Sequence, residues 1–159
     1  AVGPTGYVTA LELEQEILFY LRQRVERDGL RNVTAKQIVV SDTRLGAASY
    51  DVIFVCNFYH HVHHQPERKA FLQMLRQALK PTGRLIILDF FNKAGMPVGP
   101  AADMRLSQAV VQEELQVTGL SITHTHTFLP YQYIVIAEQQ TDSLSQPNET
   151  DGDTSGPHP

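Results

Sequence analysis

Three things are scarce in this sequence: cysteine, long apolar runs and an excess of positive charge. A single cysteine excludes a disulfide framework within one chain, and Cys56 lies in an apolar run that favours a buried free thiol. The longest apolar runs, at 52–56 and 85–88, are far shorter than the roughly 20 residues that a membrane-spanning helix needs, and no signal peptide opens the chain. We therefore expect a cytoplasmic protein with no membrane partner.

The charge balance is mildly acidic, with a formal net charge of −4 and basic residues scattered along the chain. A phosphate backbone requires a clustered cationic surface, so nucleic acid is not the expected partner. The 159 residues suffice for one globular domain. We expect that domain to span 1–138. Residues 139–159 contain one aliphatic residue, Leu144, and no aromatic residue, which predicts a disordered tail.

Within the domain, strand and helix patterns alternate. Strands are predicted at 7–13, within 33–40, and at 50–56, 84–90, 120–128 and 132–138. Helices are predicted at 14–28, from Pro66 to the turn at 81–83, and from a Ser107 cap to Gly119. The histidines that follow the strand at 50–56 are interpreted as lying in a loop. This order predicts an α/β fold with a parallel sheet, helices on both faces and a final antiparallel hairpin, and ligands in such folds bind at the carboxyl ends of the strands.

Glu12 falls at the end of the first predicted strand, directly before a helix. A carboxylate at this position can accept hydrogen bonds from both hydroxyls of a ribose, which suits any cofactor that contains adenosine. An acidic residue in the first turn of a helix is equally well explained by the helix dipole. Position alone leaves both interpretations open.

A polar and aromatic cluster follows the strand at 50–56 and runs from Asn57 through Phe58 to His60 and His61. Its position predicts a contribution to the binding crevice. The sequence HHVHH also raises the possibility of a metal site, but the spacing matches no familiar zinc motif and no cysteine or carboxylate recurs beside it. We predict no metal site. The histidines at 124 and 126 alternate on a terminal strand and are expected to be exposed on one face.

The segments YVTALELEQEILFYLRQR, SYDVIFVCNFYHHV, PERKAFLQMLRQALKPTGRLIILDF and FLPYQYIVIAE, in this order, resemble class I S-adenosylmethionine-dependent methyltransferases. The resemblance covers residues 3–138. It implies a Rossmann-like sheet of seven strands in which these segments supply the second strand onward. The family's first strand and its glycine-rich loop have no counterpart before the opening AVGPTG, so we expect an N-terminally incomplete methyltransferase domain at 1–138.

The resemblance also implies roles for particular residues. Glu12 matches the acidic ligand of the ribose, and Leu13 matches the apolar residue beside the adenosine. Asn57 matches the position where the chain passes the methionine part of the cofactor, and Phe58 continues from there toward the acceptor pocket. S-adenosylmethionine is thus the implied cofactor, and these four residues are implied to contact it.

An aspartate that binds the adenine amino group is common in the family after its third strand. Asp42 is the best candidate here. If the spacing from residue 32 to residue 51 is kept without gaps, however, Val39 occupies that position and Asp42 belongs to the following loop.

The implied reaction is methyl transfer to an acceptor, for which a small molecule is the expected class. Where the acceptor must lose a proton, His60 or His61 is the nearest candidate base. One alternative is a non-catalytic scaffold or partner subunit that does not bind cofactor by itself. A nicotinamide-dependent oxidoreductase would use Glu12 equally well, but its GxGxxG turn is absent. The sequence leaves the oligomeric state open.

Overall fold

The protein folds into two sheets with helices packed against them. The computed structural model describes residues 2–140. The strands are β1 Val8–Glu12, β2 Val33–Gln37, β3 Tyr50–Cys56, β4 Leu79–Phe90, β5 Leu120–His126 and β6 Gln132–Gln139. The helices are α1 Gln15–Arg27, α2 Tyr59–His63, α3 Arg68–Ala78 and α4 Gln108–Val117, with one 3₁₀ turn at Ala102–Met104. The tail predicted for 139–159 lies outside the described residues from 141 onward, and β6 extends one residue past the predicted domain boundary.

The larger sheet has the strand order β3-β4-β6-β5. β3 and β4 are parallel, while β6 pairs antiparallel with both β4 and β5. The mixed α/β architecture and the closing hairpin are therefore confirmed. Parallel β3 and β4 end on the same edge of the sheet, and β6 begins there because it runs the opposite way. That edge is where the polar residues of the site are found.

β1 and β2 form a separate parallel pair. Among residues 2–140 no strand connects this pair to the larger sheet, and β1 and β3 are each paired along one side only.

The environment of β3 differs from the prediction of a buried strand. Val52 is 52% exposed and Phe54 is 57% exposed. Cys56 is also exposed, so the expectation of a buried thiol is wrong. The physical reason is that β3 is an edge strand in the part of the chain that the structure describes. Partial burial nevertheless raises the pKa of the Cys56 thiol, and the nearby Asp89 carboxylate raises it further, which disfavours a reactive thiolate.

The core lies between the larger sheet and the helices α3 and α4. Alternate residues of the central strands point into it, including Leu85 and Ile87 from β4 and Tyr133 and Val135 from β6, all with no exposed surface. This alternation follows from the two-residue period of a strand. Truncation of such a leucine to alanine typically costs about 2–5 kcal/mol, so these residues fix how β4 and β6 sit against the helices.

Three helix ends that were predicted from single residues are observed in the structure. Gly29 adopts a φ of 62° after α1, and Gly119 a φ of 88° after α4. Ser107 caps α4 by accepting a hydrogen bond from the Val110 amide at 3.3 Å.

The segment 81–83 was expected to be a turn between helix and strand, and it lies instead within β4. Pairing with β3 shifts register there, because Tyr50 faces Leu79 whereas Val52 already faces Arg84. Pro81 has no amide proton to donate, which explains why the irregularity falls at this point.

Candidate functional site

The chain turns sharply at Asn57, directly after β3. Asn57 has a φ of 51°, in the left-handed region that asparagine tolerates better than most residues. Its amide donates to the Leu88 carbonyl at 2.8 Å, and Gln132 Nε2 donates to Asn57 Oδ1 at 2.6 Å. An unfavourable backbone conformation fixed by two neighbouring strands is characteristic of functional sites. These bonds bring together the end of β3, the end of β4 and the start of β6.

The segment that follows Asn57 is helical, which corrects the prediction of a loop. The five residues of α2 include Tyr59, His60 and Val62, which are buried. The helix was missed because a single turn is too short to show an apolar period. Its burial places His60 inside the protein, directly beneath the carboxyl end of β4.

His60 forms a buried pair with Asp89, the penultimate residue of β4. The Nδ1 atom of His60 lies 2.7 Å from Asp89 Oδ1, and both side chains are at most 3% exposed. Asp89 also accepts hydrogen bonds from the amide of His60 at 3.0 Å and from the amide of Phe90 at 2.8 Å. Three donors therefore stabilise one buried carboxylate, as burial of a charge requires.

His61 lies beside this pair but is exposed. Its ring centroid is 4.1 Å from that of His60, with the planes tilted by 40°. Partial burial lowers the pKa of His61, and the neighbouring His60 lowers it further, although Asp89 acts in the opposite direction. His61 is thus predominantly neutral at pH 7. Phe58 is half-buried and packs near His61 and Phe71, so only part of its ring is accessible to a ligand.

On its other side α2 is tied to α3 and α4 through Glu114. The Tyr59 hydroxyl donates to Glu114 Oε2 at 2.6 Å, and Arg68 Nη1 lies 2.9 Å from the other oxygen. His63 Nδ1 is 3.2 Å from the same carboxylate. Burial raises the pKa of Tyr59, and the bond to Glu114 raises it further. This cluster holds α2 in place beneath the site.

Glu12 ends β1, as predicted, and is partly buried. Its Oε1 accepts hydrogen bonds from the amides of Leu13 at 2.7 Å and Glu14 at 3.0 Å, at the start of α1. Both amides precede the first helical residue, Gln15, and the acidic residue in the first turn of α1 is Glu16, so Glu12 lies just before the helix rather than in its first turn. Among residues 2–140, Oε2 has no hydrogen-bond partner, which leaves one oxygen for a ligand. Leu13 is half-buried, and its carbonyl accepts from Nε2 of Gln37, the last residue of β2, at 3.2 Å.

Asp42 and Val39 face each other across one tight turn after β2. Their backbones exchange hydrogen bonds, at 3.0 Å from the Asp42 amide and 3.4 Å from the Val39 amide. The two candidate positions for the adenine contact are therefore neighbours in space. Both carboxylate oxygens of Asp42 already accept from Arg44, at 3.0 Å and 3.3 Å.

Asp42 also lines a cavity of about 110 Å³ beside α3. The other lining residues are Thr43, Arg44, Leu45, Ala47, Met74 and Gln77. Ligand pockets for drug-sized molecules have volumes of about 300–1,000 Å³, so this cavity does not accommodate a whole nucleoside. None of Glu12, Asn57 and His60 lines it.

No group of three or more histidine, cysteine or acidic side chains in the described part of the chain is arranged to hold a metal ion. His124 and His126 are exposed, and their rings lie nearly parallel, 6.2 Å apart. Among residues 2–140 no helix combines the length and the apolar character needed to cross a bilayer.

Two residues of the site, Asp89 and Gln132, were not identified from the sequence. Asp89 is the one charged residue in the apolar run 85–91, and a carboxylate inside a buried strand needs a partner. The sequence therefore did contain a signal that Asp89 is paired. Nothing in the sequence relates Gln132 to Asn57, which is 75 residues away.

A parallel α/β arrangement with polar side chains at the carboxyl ends of its strands defines the class of doubly wound ligand-binding domains. A family model described as a methyltransferase domain matches residues 1–83, just over half of the chain. The chain belongs to this methyltransferase family, and its resemblance to the class I enzymes is confirmed.

Solved structures agree with this assignment. An S-adenosylmethionine-dependent methyltransferase from Aquifex aeolicus superimposes with a TM-score of 0.77 at 26% identity, covering 86% of this chain and 70% of the other. A putative type 11 methyltransferase from Sulfolobus solfataricus gives 0.70 at 14% identity, covering 86% and 73%. The trans-methyltransferase CalH, crystallised with S-adenosylhomocysteine, gives 0.65 at 17% identity, covering 86% and 43%. The comparison with curated proteins gave no match.

Proposed function

We propose that the chain transfers a methyl group from S-adenosylmethionine to a small-molecule acceptor in the cytoplasm. The observation that carries this proposal is the group of polar residues at the ends of β3 and β4 and the start of β6. Two hydrogen-bonded pairs lie there, Asn57 with Gln132 and His60 with Asp89. Family membership supports the reaction class, and the position of these residues at the strand ends supports the proposed location of the site.

Several residues fit the cofactor. Glu12 keeps Oε2 for the ribose hydroxyls, and Leu13 offers an apolar surface to the adenine. Asn57 and Phe58 would lie along the methionine part. Each carboxylate oxygen of Asp42 accepts one hydrogen bond from Arg44 and keeps a further lone pair, with which it could accept the adenine amino group.

When bound, S-adenosylmethionine supplies an electrophilic methyl group on a sulfonium. The protein's own contribution is to hold the acceptor in line with that methyl group and to exclude water. The strained turn at Asn57 fixes the position of α2 relative to β4. The site is thereby preorganised before any ligand arrives.

A second candidate function is a non-catalytic scaffold or partner subunit. The observation that favours it is the separation of the β1–β2 pair from the larger sheet among residues 2–140. Among these residues β1 and β3 each have one unpaired edge. The proposed cofactor residues Glu12 and Asn57 therefore lie on different sheets, with no strand between them.

Calorimetric titration of S-adenosylmethionine separates the two candidates. It is performed on the chain itself and on a fusion that places an apolar strand and a glycine-rich turn ahead of residue 1. Binding by either form, with tighter binding by the fusion, is the result expected for the methyltransferase. If neither form binds, the scaffold function is supported and the methyl-transfer proposal fails.

A further inference from the structure

The contacts of Asp89 determine which nitrogen of His60 carries a proton. An ionised carboxylate only accepts hydrogen bonds, so the 2.7 Å contact requires a proton on His60 Nδ1. In the neutral imidazole the lone pair then lies on Nε2. A carboxylate that fixes the tautomer of a histidine in this way makes the opposite nitrogen available as a base.

The Nε2 atom of His60 has no hydrogen-bond partner among residues 2–140, although the residue is only 3% exposed. Arg76 Nε is the one fully buried side-chain nitrogen or oxygen without a partner among the described residues, so the unpaired Nε2 of His60 retains access to the outside of the protein. Asp89 is already held by two backbone amides besides the imidazole. The open nitrogen therefore suits an external proton donor.

Of the titratable groups that surround His60, Asp89 is the one that carries a charge. His61, on the same helix, lies with its ring tilted against that of His60 and is predominantly neutral. Burial and the Asp89 carboxylate raise the pKa of Cys56 from β3 and of Tyr133 from β6, so both stay protonated at pH 7. An imidazolium formed at His60 would be stabilised by Asp89 alone among these groups.

We propose that His60 is the general base of the reaction, that Asp89 is its positioning residue, and that the acceptor is a molecule whose hydroxyl must lose a proton. This inference rests on the proposed function and adds the acceptor class to it. A halide or another acceptor without a proton would need no such pair.

The step balances as follows. The acceptor hydroxyl passes its proton to His60 Nε2 while its oxygen forms a bond to the methyl carbon. The carbon–sulfur bond breaks, and its electron pair stays on sulfur to give the thioether. Solvent then removes the proton from His60 and restores the neutral imidazole.

The first test is nitrogen NMR of the chain labelled with ¹⁵N-histidine, with the His60 signals assigned by His60→Gln. The proposal predicts that neutral His60 carries its proton on Nδ1, and that Asp89→Asn shifts the proton largely to Nε2. Asp51→Asn is the matched control, because that exposed aspartate pairs with Lys80 at the opposite end of β3. A proton on Nε2 in the wild-type protein would overturn the proposal. This readout needs no cofactor, so it stands even if methyl transfer fails.

The second test measures the formation of S-adenosylhomocysteine with phenol, which carries a proton, and with iodide, which carries none. With phenol, Asp89→Asn and His60→Gln are expected to lower kcat at least tenfold with little change in KM for S-adenosylmethionine. The loss should shrink as the pH approaches 10, where phenol ionises by itself. A variant that merely disturbs the fold would not recover with pH, and that result would contradict the proposal. Methyl transfer to iodide but not to phenol would overturn the proposal that the acceptor is a hydroxyl compound. Methyl transfer to neither molecule would overturn it as well.

Discussion

Tyr59 shows how one buried side chain anchors the site. It has no exposed surface, and its hydroxyl reaches Glu114 on a helix 55 residues further along the chain. A hydrogen bond to a charged group contributes about 1.5–3 kcal/mol, more than a bond between neutral groups. The residue therefore couples the position of α2, and of His60 within it, to α4.

This coupling predicts a loss of stability in alkaline solution. The folded state raises the pKa of Tyr59, whereas the unfolded chain releases the phenolic proton near pH 10. Below about pH 10 the stabilisation is fully present, and it is lost as the pH rises from there toward the folded pKa, because the folded state then binds more protons. Tyr59→Phe should lower the free energy of unfolding at pH 7 by about 1–3 kcal/mol.

Urea unfolding of the wild-type protein and of Tyr59→Phe between pH 7 and pH 11 tests the prediction. The difference between the two proteins should persist to about pH 10 and decrease above it. A difference that grows with pH would contradict the assignment. Tyr131→Phe, at a residue that is 38% exposed, serves as the control and should change little.

At the same scale, some functional residues could be predicted and others could not. Glu12 and Asn57 follow strands directly, so their positions are readable from the local pattern. The pairing of His60 with Asp89 depends on how β4 lies beside α2, which no local pattern encodes. The sequence identified the histidine as a candidate, but only the structure connects it to its carboxylate.

At the scale of elements, helix ends carry measurable stability. Ser107 accepts the Val110 amide at the start of α4, and this helix places Glu114 beneath the site. Replacing an N-cap serine by alanine typically costs about 0.5–2 kcal/mol, whereas glycine costs only a few tenths. Ser107→Ala should therefore lower the midpoint of urea unfolding clearly, and Ser107→Gly only slightly. Equal effects of the two variants would exclude a capping role.

The elements also show why burial was harder to predict than secondary structure. The bounds of β3 were predicted correctly, because apolar and β-branched residues mark a strand by themselves. Its burial depends on neighbours, and among residues 2–140 it has a neighbouring strand along one side only. For the same reason Cys56 is exposed, although its surroundings in sequence are apolar.

At the scale of the whole molecule, the order of the elements was sufficient to predict the α/β class and the closing hairpin. The strand order of the larger sheet, with β6 between β4 and β5, was not predicted, because periodicity identifies strands but not their neighbours in a sheet. Among residues 2–140 the structure also separates the strands into two sheets. It leaves Glu12 on one sheet and Asn57 on the other, and a ligand that spans both would link them.

The most direct test of this account is calorimetric titration of S-adenosylhomocysteine into the wild-type protein, Glu12→Gln and Glu14→Gln. The three proteins are made in whichever form binds S-adenosylmethionine more tightly, either the chain itself or the fusion with the added strand. Glu14 is the matched control, because it is exposed and lies two residues further along the chain. The account predicts that Glu12→Gln weakens binding about tenfold or more, equivalent to about 1.4 kcal/mol, while Glu14→Gln binds as the wild-type protein does. Equal binding by all three proteins, or binding by none, would contradict a cofactor site at the end of β1.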